Sequence, residues 1–289
     1  MVVMTTSTSA IEVAGSPDPH GDDGERAGRG DRTMRHFPVH HDGVTIPVSR
    51  GGRGRPLVLC PGLNTTQADL HELTELLRRD HDLVTFDLRG HGLASAAEQY
   101  SFEAFLSDLV AVMAGLDLPS APVLVGYSLG ADLVVHYASE HPDTVAGLVL
   151  IDGANPVPEP FITESELPEF RTMWEELATQ HEAERGTERQ VLLTAREILD
   201  LNLEIDVVRS EILDRYRKTD CPITMVMSAS MAGDSGEGRA LRRNQNWRAG
   251  VERLVHERPH VSTSWLDADH RLVFTHAPQV ARIIGSAWS

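Results

Sequence analysis

Ser128 lies between two glycines in the pentapeptide Gly-Tyr-Ser-Leu-Gly at residues 126–130. An apolar run at residues 122–125 precedes this pentapeptide, and a helical stretch at 131–141 follows it. A serine at such a strand-to-helix turn is held in a strained conformation that lifts its hydroxyl out of the sheet, and the flanking glycines leave room for the turn. The free N–H groups at the start of the following helix face any negative charge that develops at the hydroxyl. The segment therefore predicts a nucleophilic serine and acyl-transfer chemistry.

His270 is the histidine whose position best fits the base that a serine nucleophile needs. A serine hydroxyl reacts readily at neutral pH only when a base lies within hydrogen-bond reach and a third group orients that base. His270 follows the last predicted strand, at residues 261–266, and precedes the final predicted helix, at 278–288. Because parallel strands all end at one edge of a sheet, we expect His270 and Ser128 to meet at that edge.

Two aspartates compete for the position of the orienting acid. Asp234 lies in the loop after the predicted strand at residues 221–228, and Asp152 ends the preceding strand, at 146–152, on the same edge. Loop position favours Asp234 and leaves Asp152 as the alternative. Glu237, or the absence of any acid, stays open as well.

The other histidines indicate neither a second base nor a metal site. Three lie in or beside predicted helices and turns and are expected at the surface or in packing contacts: His91, His136 and His141. Three more cluster in a predicted N-terminal hairpin without cysteines or carboxylates at metal-ligand spacing: His36, His40 and His41. We therefore expect no metal site.

The charge and composition of the chain exclude several classes of partner. The 289 residues carry a formal charge of −17, and nucleic acids and anionic membranes both require a basic patch, so we expect neither as a partner. No apolar run approaches the roughly 20 residues of a membrane span, and residues 1–15 do not have the pattern of a secretory signal. With only two cysteines, Cys60 and Cys221, the sequence predicts a cytoplasmic protein without disulfides.

Lysine is nearly absent, because Lys218 is the single lysine and lies outside every motif discussed here. Phosphate-binding P-loops and Schiff-base chemistry both depend on a positioned lysine, so we expect no cofactor of these kinds. The strong preference for arginine is typical of a GC-rich coding sequence and favours a bacterial origin. Oligomeric state is left open.

Short apolar runs alternate with amphipathic helical stretches over residues 56–152 and again over 221–289. Such alternation predicts a mostly parallel sheet that helices cover on both faces. Two weakly alternating runs, at residues 35–41 and 44–49, precede it and are joined by a His-Asp-Gly turn, which predicts a hairpin.

Two segments depart from the alternating pattern. Residues 153–220 contain no convincing strand and predict three or four helices, for example at 164–183 and 188–201. Because this stretch interrupts two consecutive strands, it must lie over one end of the sheet. Residues 1–32 are rich in Ser, Thr, Gly, Asp and Pro without periodicity, and predict a disordered tail.

Over residues 35–289 these motifs resemble the α/β-hydrolase superfamily. The chain order Ser128, Asp234, His270 is that family's order of nucleophile, acid and base. The segment Phe-Asp-Leu-Arg-Gly-His-Gly-Leu-Ala-Ser at residues 86–95 looks like the family's loop after its fourth strand.

The resemblance implies an α/β fold with a mostly parallel eight-stranded sheet flanked by helices. It implies a hydrolase core at residues 33–152 and 221–289 and a helical cap at 153–220. It also implies an oxyanion hole formed by the backbone N–H groups of Leu63 and Leu129, where a Pro-Gly-Leu segment replaces the family's usual His-Gly segment.

The expected activity is that of a serine hydrolase for a small ester, lactone or thioester whose apolar portion packs under the cap. An acyl-enzyme on Ser128 and no cofactor are expected. The alternative is the same fold and triad used for acyl transfer, lactonisation or carboxylate elimination in bacterial small-molecule biosynthesis. A third possibility is a catalytically silent receptor that uses the pocket for binding alone.

Overall fold

The computed structural model describes residues 33–233 and 238–288. The predicted disordered tail at residues 1–32 lies outside the described residues, and so do the acid candidates Asp234 and Glu237. Within the described part of the chain, no helix is both long and apolar enough to span a bilayer.

A single eight-stranded sheet organises the described residues, with strand order β1-β2-β4-β3-β5-β6-β7-β8. Its strands are β1 (Arg35–His41), β2 (Val44–Gly52), β3 (Arg55–Cys60), β4 (His81–Phe86), β5 (Val123–Tyr127), β6 (Gly147–Ile151), β7 (Ile223–Ser228) and β8 (Ser262–Leu266). Strand β2 pairs antiparallel with β1 and β4, and all other neighbours are parallel. The prediction of a mostly parallel eight-stranded sheet is confirmed.

Helices cover both faces of this sheet. They are α1 (His71–Leu77), α2 (Phe102–Ala114), α3 (Leu129–Glu140), α4 (Leu167–Ala183), α5 (Ala195–Arg217), α6 (Gly238–Glu257), α7 (Leu272–Thr275) and α8 (Ala277–Trp288). A short 3-10 turn at Glu164–Glu166 precedes α4.

The central strands are apolar throughout because successive side chains enter two different cores. In β3, Leu57 and Leu59 pack with residues of α1, α7 and α8. The alternate residues Val58 and Cys60 pack with residues of α2, α3, α5 and α6 on the other face. Strands β3 to β8 run parallel to one another. Their carboxyl ends therefore all lie at one edge of the sheet, where the candidate site is found.

The segment between β6 and β7 contains only helices among its regular elements, but their limits differ from the predicted ones. The helix expected at residues 188–201 begins later, at Ala195, and continues to Arg217. Residues before it are extended, because Gln190 accepts from the N–H of Gly92 and Leu192 donates to Gly90. These long-range hydrogen bonds have no signature in the local sequence.

Thr194 then starts α5 with a reciprocal cap. Its hydroxyl accepts from the N–H of Glu197, whose carboxylate accepts from the backbone N–H of Thr194. Unlike a loosely placed lid, α5 contributes buried residues to the main core, among them Ile205, Ile212 and Tyr216.

Candidate active site

Ser128 occupies the sharp turn between β5 and α3 and has the strained backbone that the motif predicts. Its φ of 52° and ψ of −119° lie outside the regions that non-glycine residues favour. Gly126 and Gly130 are required at this turn. A Cβ at Gly126 would lie 2.4 Å from the Gly130 oxygen, and one at Gly130 would lie 2.2 Å from the Cys60 oxygen. The two glycines thus allow backbone segments to pack closely around the turn that carries Ser128.

His270 lies in the loop between β8 and α7, directly beside Ser128. Its Nε2 atom is 3.0 Å from the Oγ of Ser128. The Tyr127 hydroxyl donates to the backbone oxygen of His270 at 2.9 Å and fixes the loop against β5. The structure therefore brings together the serine and the histidine that the sequence analysis selected.

The other ring nitrogen of His270 faces a carboxylate, which determines the tautomer. Nδ1 lies 2.8 Å from Oδ2 of Asp152. Because a carboxylate accepts hydrogen bonds, Nδ1 carries the proton and Nε2 is left to accept from the serine hydroxyl. Serine, imidazole and carboxylate thus form one continuous hydrogen-bonded chain, which can accept the serine proton and stabilise the resulting imidazolium.

Asp152 is fully buried at the end of β6 and is surrounded by donors. Oδ1 accepts from the backbone N–H of Ser228 at 3.0 Å and from the indole Nε1 of Trp247 at 2.9 Å. Oδ2 accepts from the Ser228 hydroxyl at 2.6 Å, in addition to the bond from His270. A buried carboxylate is stable only when its oxygens are saturated in this way. Asp152 has a φ of 47°, so its backbone is strained as well.

The acid at this position is the alternative, not the favoured residue, of the sequence analysis. Loop position alone favoured Asp234, which lies outside the described residues. The structure places Asp152 against Nδ1 of His270 instead. The physical reason is that β6 lies directly beside β5. The residue that ends β6 therefore reaches the imidazole without any intervening loop.

The turn after β3 lies against the serine from the other side. A Cβ at Gly62 would lie 3.0 Å from the Cβ of Ser128, so the neighbouring Leu63 is close to the nucleophile. Among the described residues, the N–H of Leu63 donates no hydrogen bond. Leu129 is the first residue of α3, so its N–H has no partner within the helix. Both groups that the resemblance assigned to an oxyanion hole are therefore free to donate.

His91 holds this turn in place and was not expected to do so. Its Nε2 accepts from the backbone N–H of Asn64 at 3.1 Å, while Nδ1 donates to the Arg89 oxygen at 2.9 Å. Complete burial lowers the pKa of His91 to about 4, so the ring is neutral near pH 7 and Nε2 can accept. Asn64 has a φ of 59°, in the left-handed region that asparagine adopts more readily than most residues.

A cavity of about 1090 Å³ opens above Ser128 and His270. Its roof comes from the segment between β6 and β7 and from α6, and most of its roof side chains are apolar or aromatic: Phe161, Phe170, Met173, Trp174, Leu177 and Trp247. Within the described residues, no group of three or more histidines, cysteines or carboxylates could hold a metal ion.

Several residues of the site could not be found from the sequence. Ser228 and Trp247 support Asp152 from β7 and α6, yet neither belongs to a motif. Tyr127 was visible only as a residue of the pentapeptide. Ser228 carries one usable signal, because it ends the strand beside β6 and so must lie near Asp152.

A sequence model for the alpha/beta hydrolase fold matches residues 55–254, which is more than half of the chain. The chain belongs to the alpha/beta hydrolase family. Membership agrees with the strand order, the strained serine turn and the chain order of serine and histidine. It confirms the resemblance inferred from the pentapeptide and the segment at 86–95.

Two curated members of the family are similar to part of the chain. An N-formylmaleamate deformylase of Pseudomonas putida is 33% identical over 104 residues, which cover 35% of this chain and 38% of that protein. A 2-(acetamidomethylene)succinate hydrolase of Mesorhizobium japonicum is 31% identical over 110 residues, or 38% of this chain and 39% of that protein. The aligned segments span less than half the length of either relative.

Solved structures of the family resemble the fold over most of the chain. An esterase from Exiguobacterium antarcticum gives a TM-score of 0.66 at 16% identity, covering 87% of this chain and 98% of that one. An E-2-(acetamidomethylene)succinate hydrolase gives 0.64 at 20% identity, covering 88% and 98%. At these identities the likeness concerns the α/β-hydrolase fold.

Proposed function

We propose that the protein is a serine hydrolase that cleaves a small carboxylic ester, lactone or thioester through an acyl-enzyme on Ser128. The observation that supports this most strongly is the unbroken chain of hydrogen bonds from Ser128 Oγ through His270 to Asp152. Relatives named as hydrolases and esterases support hydrolysis as the reaction class.

In the proposed mechanism, the Oγ of Ser128 attacks the substrate carbonyl carbon while its proton passes to Nε2 of His270. The carbonyl π electrons move to the oxygen and form a tetrahedral oxyanion. The oxyanion collapses, the bond to the leaving group breaks, and His270 returns the proton to that group. Water then repeats the sequence on the acyl-enzyme, with His270 as the base. Asp152 keeps the imidazole in the required tautomer throughout.

The oxyanion would be stabilised by the backbone N–H groups of Leu63 and Leu129. One such donor typically lowers the barrier by about 3–4 kcal/mol. The start of α3 adds its positive dipole end at the same place. His91 acts behind this arrangement as a positioning residue, because it fixes the Asn64 N–H next to Leu63.

The substrate is a small molecule with an apolar portion that packs under the roof of the cavity. The aromatic and aliphatic side chains above Ser128 favour such a group, and the volume accommodates a molecule of modest size.

A fluorophosphonate probe tests the nucleophile directly. We expect the probe to label the wild-type protein and not the Ser128→Ala variant, with equal thermal stability for both. We also expect the wild type, but not His270→Ala, to turn over short p-nitrophenyl esters. Labelling without turnover would favour the non-hydrolytic alternative of acyl transfer, lactonisation or elimination. A folded protein that is not labelled would favour the silent receptor.

A further inference from the structure

Residues that line the cavity carry buried polar atoms that have no hydrogen-bond partner among the described residues. They belong to four residues that line the cavity: Asn64 (Oδ1), Trp174 (Nε1), His181 (Nδ1) and Arg243 (Nε). An unsatisfied buried polar atom costs about 1–3 kcal/mol, so four of them in residues that line one cavity require an explanation, and a bound ligand supplies one.

Arg243 is held rigidly while part of its guanidinium stays unused. Its Nη2 donates to Oε1 of Glu166 at 3.0 Å. The guanidinium carbon lies 5.4 Å from the ring centre of Phe161 and 4.7 Å from that of Phe170. Nε has no acceptor, and Nη1 makes no hydrogen bond within the described residues. Its neighbours therefore fix the orientation of Arg243 and leave Nε and Nη1 without an acceptor among the described residues.

Glu166 does not neutralise Arg243 alone, because it serves Arg242 as well. Both carboxylate oxygens of Glu166 accept from Nη2 of Arg242, at 3.1 and 3.0 Å. Burial raises the pKa of Glu166, but hydrogen bonds from Thr163 and Arg242 and the charge of Arg243 outweigh it and lower this pKa to about 2. One ionised carboxylate thus faces three arginines, since Nε of Arg239 also lies 4.0 Å from Oε1 of Glu166, and of these three only Arg243 lines the cavity.

Trp174 adds a second donor on the same part of the roof. Its ring stacks beside Phe170 with centres 6.5 Å apart, so Phe170 contacts both the indole and the guanidinium of Arg243. The indole nitrogen can only donate. The unpaired acceptor Asn64 Oδ1 belongs to the turn next to Leu63, on the core side of the cavity. Arg243 and Trp174 therefore offer donors and a positive charge, while the lining also includes the acidic residues Glu184 and Asp69, of which Asp69 pairs with Arg189.

We infer that this roof binds a carboxylate of the substrate, with Arg243 as the charged anchor and Trp174 as a second donor. Carboxylates accept without donating, and arginine binds them more strongly than it binds neutral carbonyls. The preferred substrate is then an acyl compound that carries a free carboxylate on the part remote from the scissile bond. This inference rests on the proposed function for the reaction but not for the binding.

Binding to the Ser128→Ala variant tests the inference without any turnover. The ligands are monomethyl glutarate, which keeps one free carboxylate, and dimethyl glutarate, which is neutral and of similar size. We expect calorimetry to give a dissociation constant at least about tenfold lower for the monoester, as for a charge-assisted hydrogen bond of about 1.5 kcal/mol or more. We expect Arg243→Gln, made in the same background, to abolish this preference.

Arg242→Gln is the matched control, because Arg242 shares Glu166 but does not line the cavity. It should keep the preference for the monoester. Trp174→Phe, which retains the ring and removes only the N–H, should reduce the preference about threefold and remains informative if Arg243→Gln does not fold. Equal binding of both ligands, no binding of either at millimolar concentration, or equal losses in the Arg242 and Arg243 variants would overturn the inference.

The same ligands distinguish this inference from the proposed reaction. If Ser128 fails to react with the fluorophosphonate probe while Ser128→Ala still prefers the monoester, the proposed hydrolysis is wrong and the carboxylate site stands. If Ser128 reacts and esters are turned over but the two ligands bind equally, the proposed hydrolysis stands and the carboxylate site is wrong.

Discussion

The Nε2 atom of His91 accepts a hydrogen bond from the backbone N–H of Asn64, across 3.1 Å. This bond joins the loop after β4 to the turn after β3, where the Leu63 N–H is free to stabilise an oxyanion. His91 does not line the cavity, and its ring forms hydrogen bonds with Asn64 and Arg89 instead of Ser128. Its effect on catalysis must therefore pass through the position of the Leu63 backbone.

His91→Leu should lower kcat about tenfold and leave KM within about twofold, because a displaced oxyanion donor weakens the transition state more than the ground state. Steady-state kinetics on a p-nitrophenyl ester measure both constants. His91→Gln, which can still present an acceptor to Asn64, should recover part of kcat. Equal increases in KM with both variants would argue against a positioning role.

His91 should also make stability depend on pH. Its pKa in the native state, about 4, lies below the usual value near 6.5. Between these values the unfolded chain binds a proton that the native protein does not. The contribution of the neutral ring is therefore complete above pH 6.5, is lost progressively as the pH falls to 4, and amounts to about 3 kcal/mol in all. The free energy of unfolding can be measured by urea denaturation of wild type and His91→Gln from pH 7.5 to 4. We expect this free energy to depend less steeply on pH in the variant.

The two acids can be separated by kinetics. Asp152→Asn should lower kcat about 10³- to 10⁴-fold, because the amide no longer holds the required tautomer of His270. Asp234→Asn should change it by less than about threefold, since the structure gives the Nδ1 position to Asp152. Thermal unfolding of each variant controls for loss of fold. The reverse ranking of the two variants would return the role of the acid to Asp234.

Removing one partner of the buried ion pair between α5 and α3 should destabilise the fold strongly. Arg209 donates to Asp132 through Nε at 3.0 Å and Nη2 at 2.7 Å, and Asp132 is fully buried. Arg209→Leu should reduce the free energy of unfolding by about 3–5 kcal/mol, because it leaves a buried carboxylate without its cation. Arg209→Leu combined with Asp132→Leu should regain much of the loss.

The same two helices provide the control for that experiment. Arg215 of α5 and Glu140 of α3 form a second ion pair, with side chains 32% and 46% exposed. Arg215→Ala should cost less than about 1 kcal/mol, as exposed pairs do. Denaturant unfolding of both variants compares a buried with an exposed ion pair between the same two helices. Equal losses in the free energy of unfolding would contradict the larger effect expected for the buried pair.

The sequence was sufficient wherever local pattern determines structure. Six strands follow from apolar runs and the first two from weak alternation around a hairpin turn, and Ser128 and His270 follow from the positions of the apolar runs in the chain. The acid did not follow, because the choice between Asp152 and Asp234 depends on which loop the imidazole faces. The start of α5 did not follow either, since the extended residues before it are held by Gly90 and Gly92, about a hundred positions away.

The two long helices α4 and α5 differ in how many of their residues are buried. Of the residues of α4 only Phe170 is buried, whereas α5 buries eight, including Arg209. Energetically α5 belongs to the body of the protein, and α4 is the adjustable element. Changes of substrate choice within this lineage should therefore accumulate in α4, where new side chains alter the cavity without putting the fold at risk.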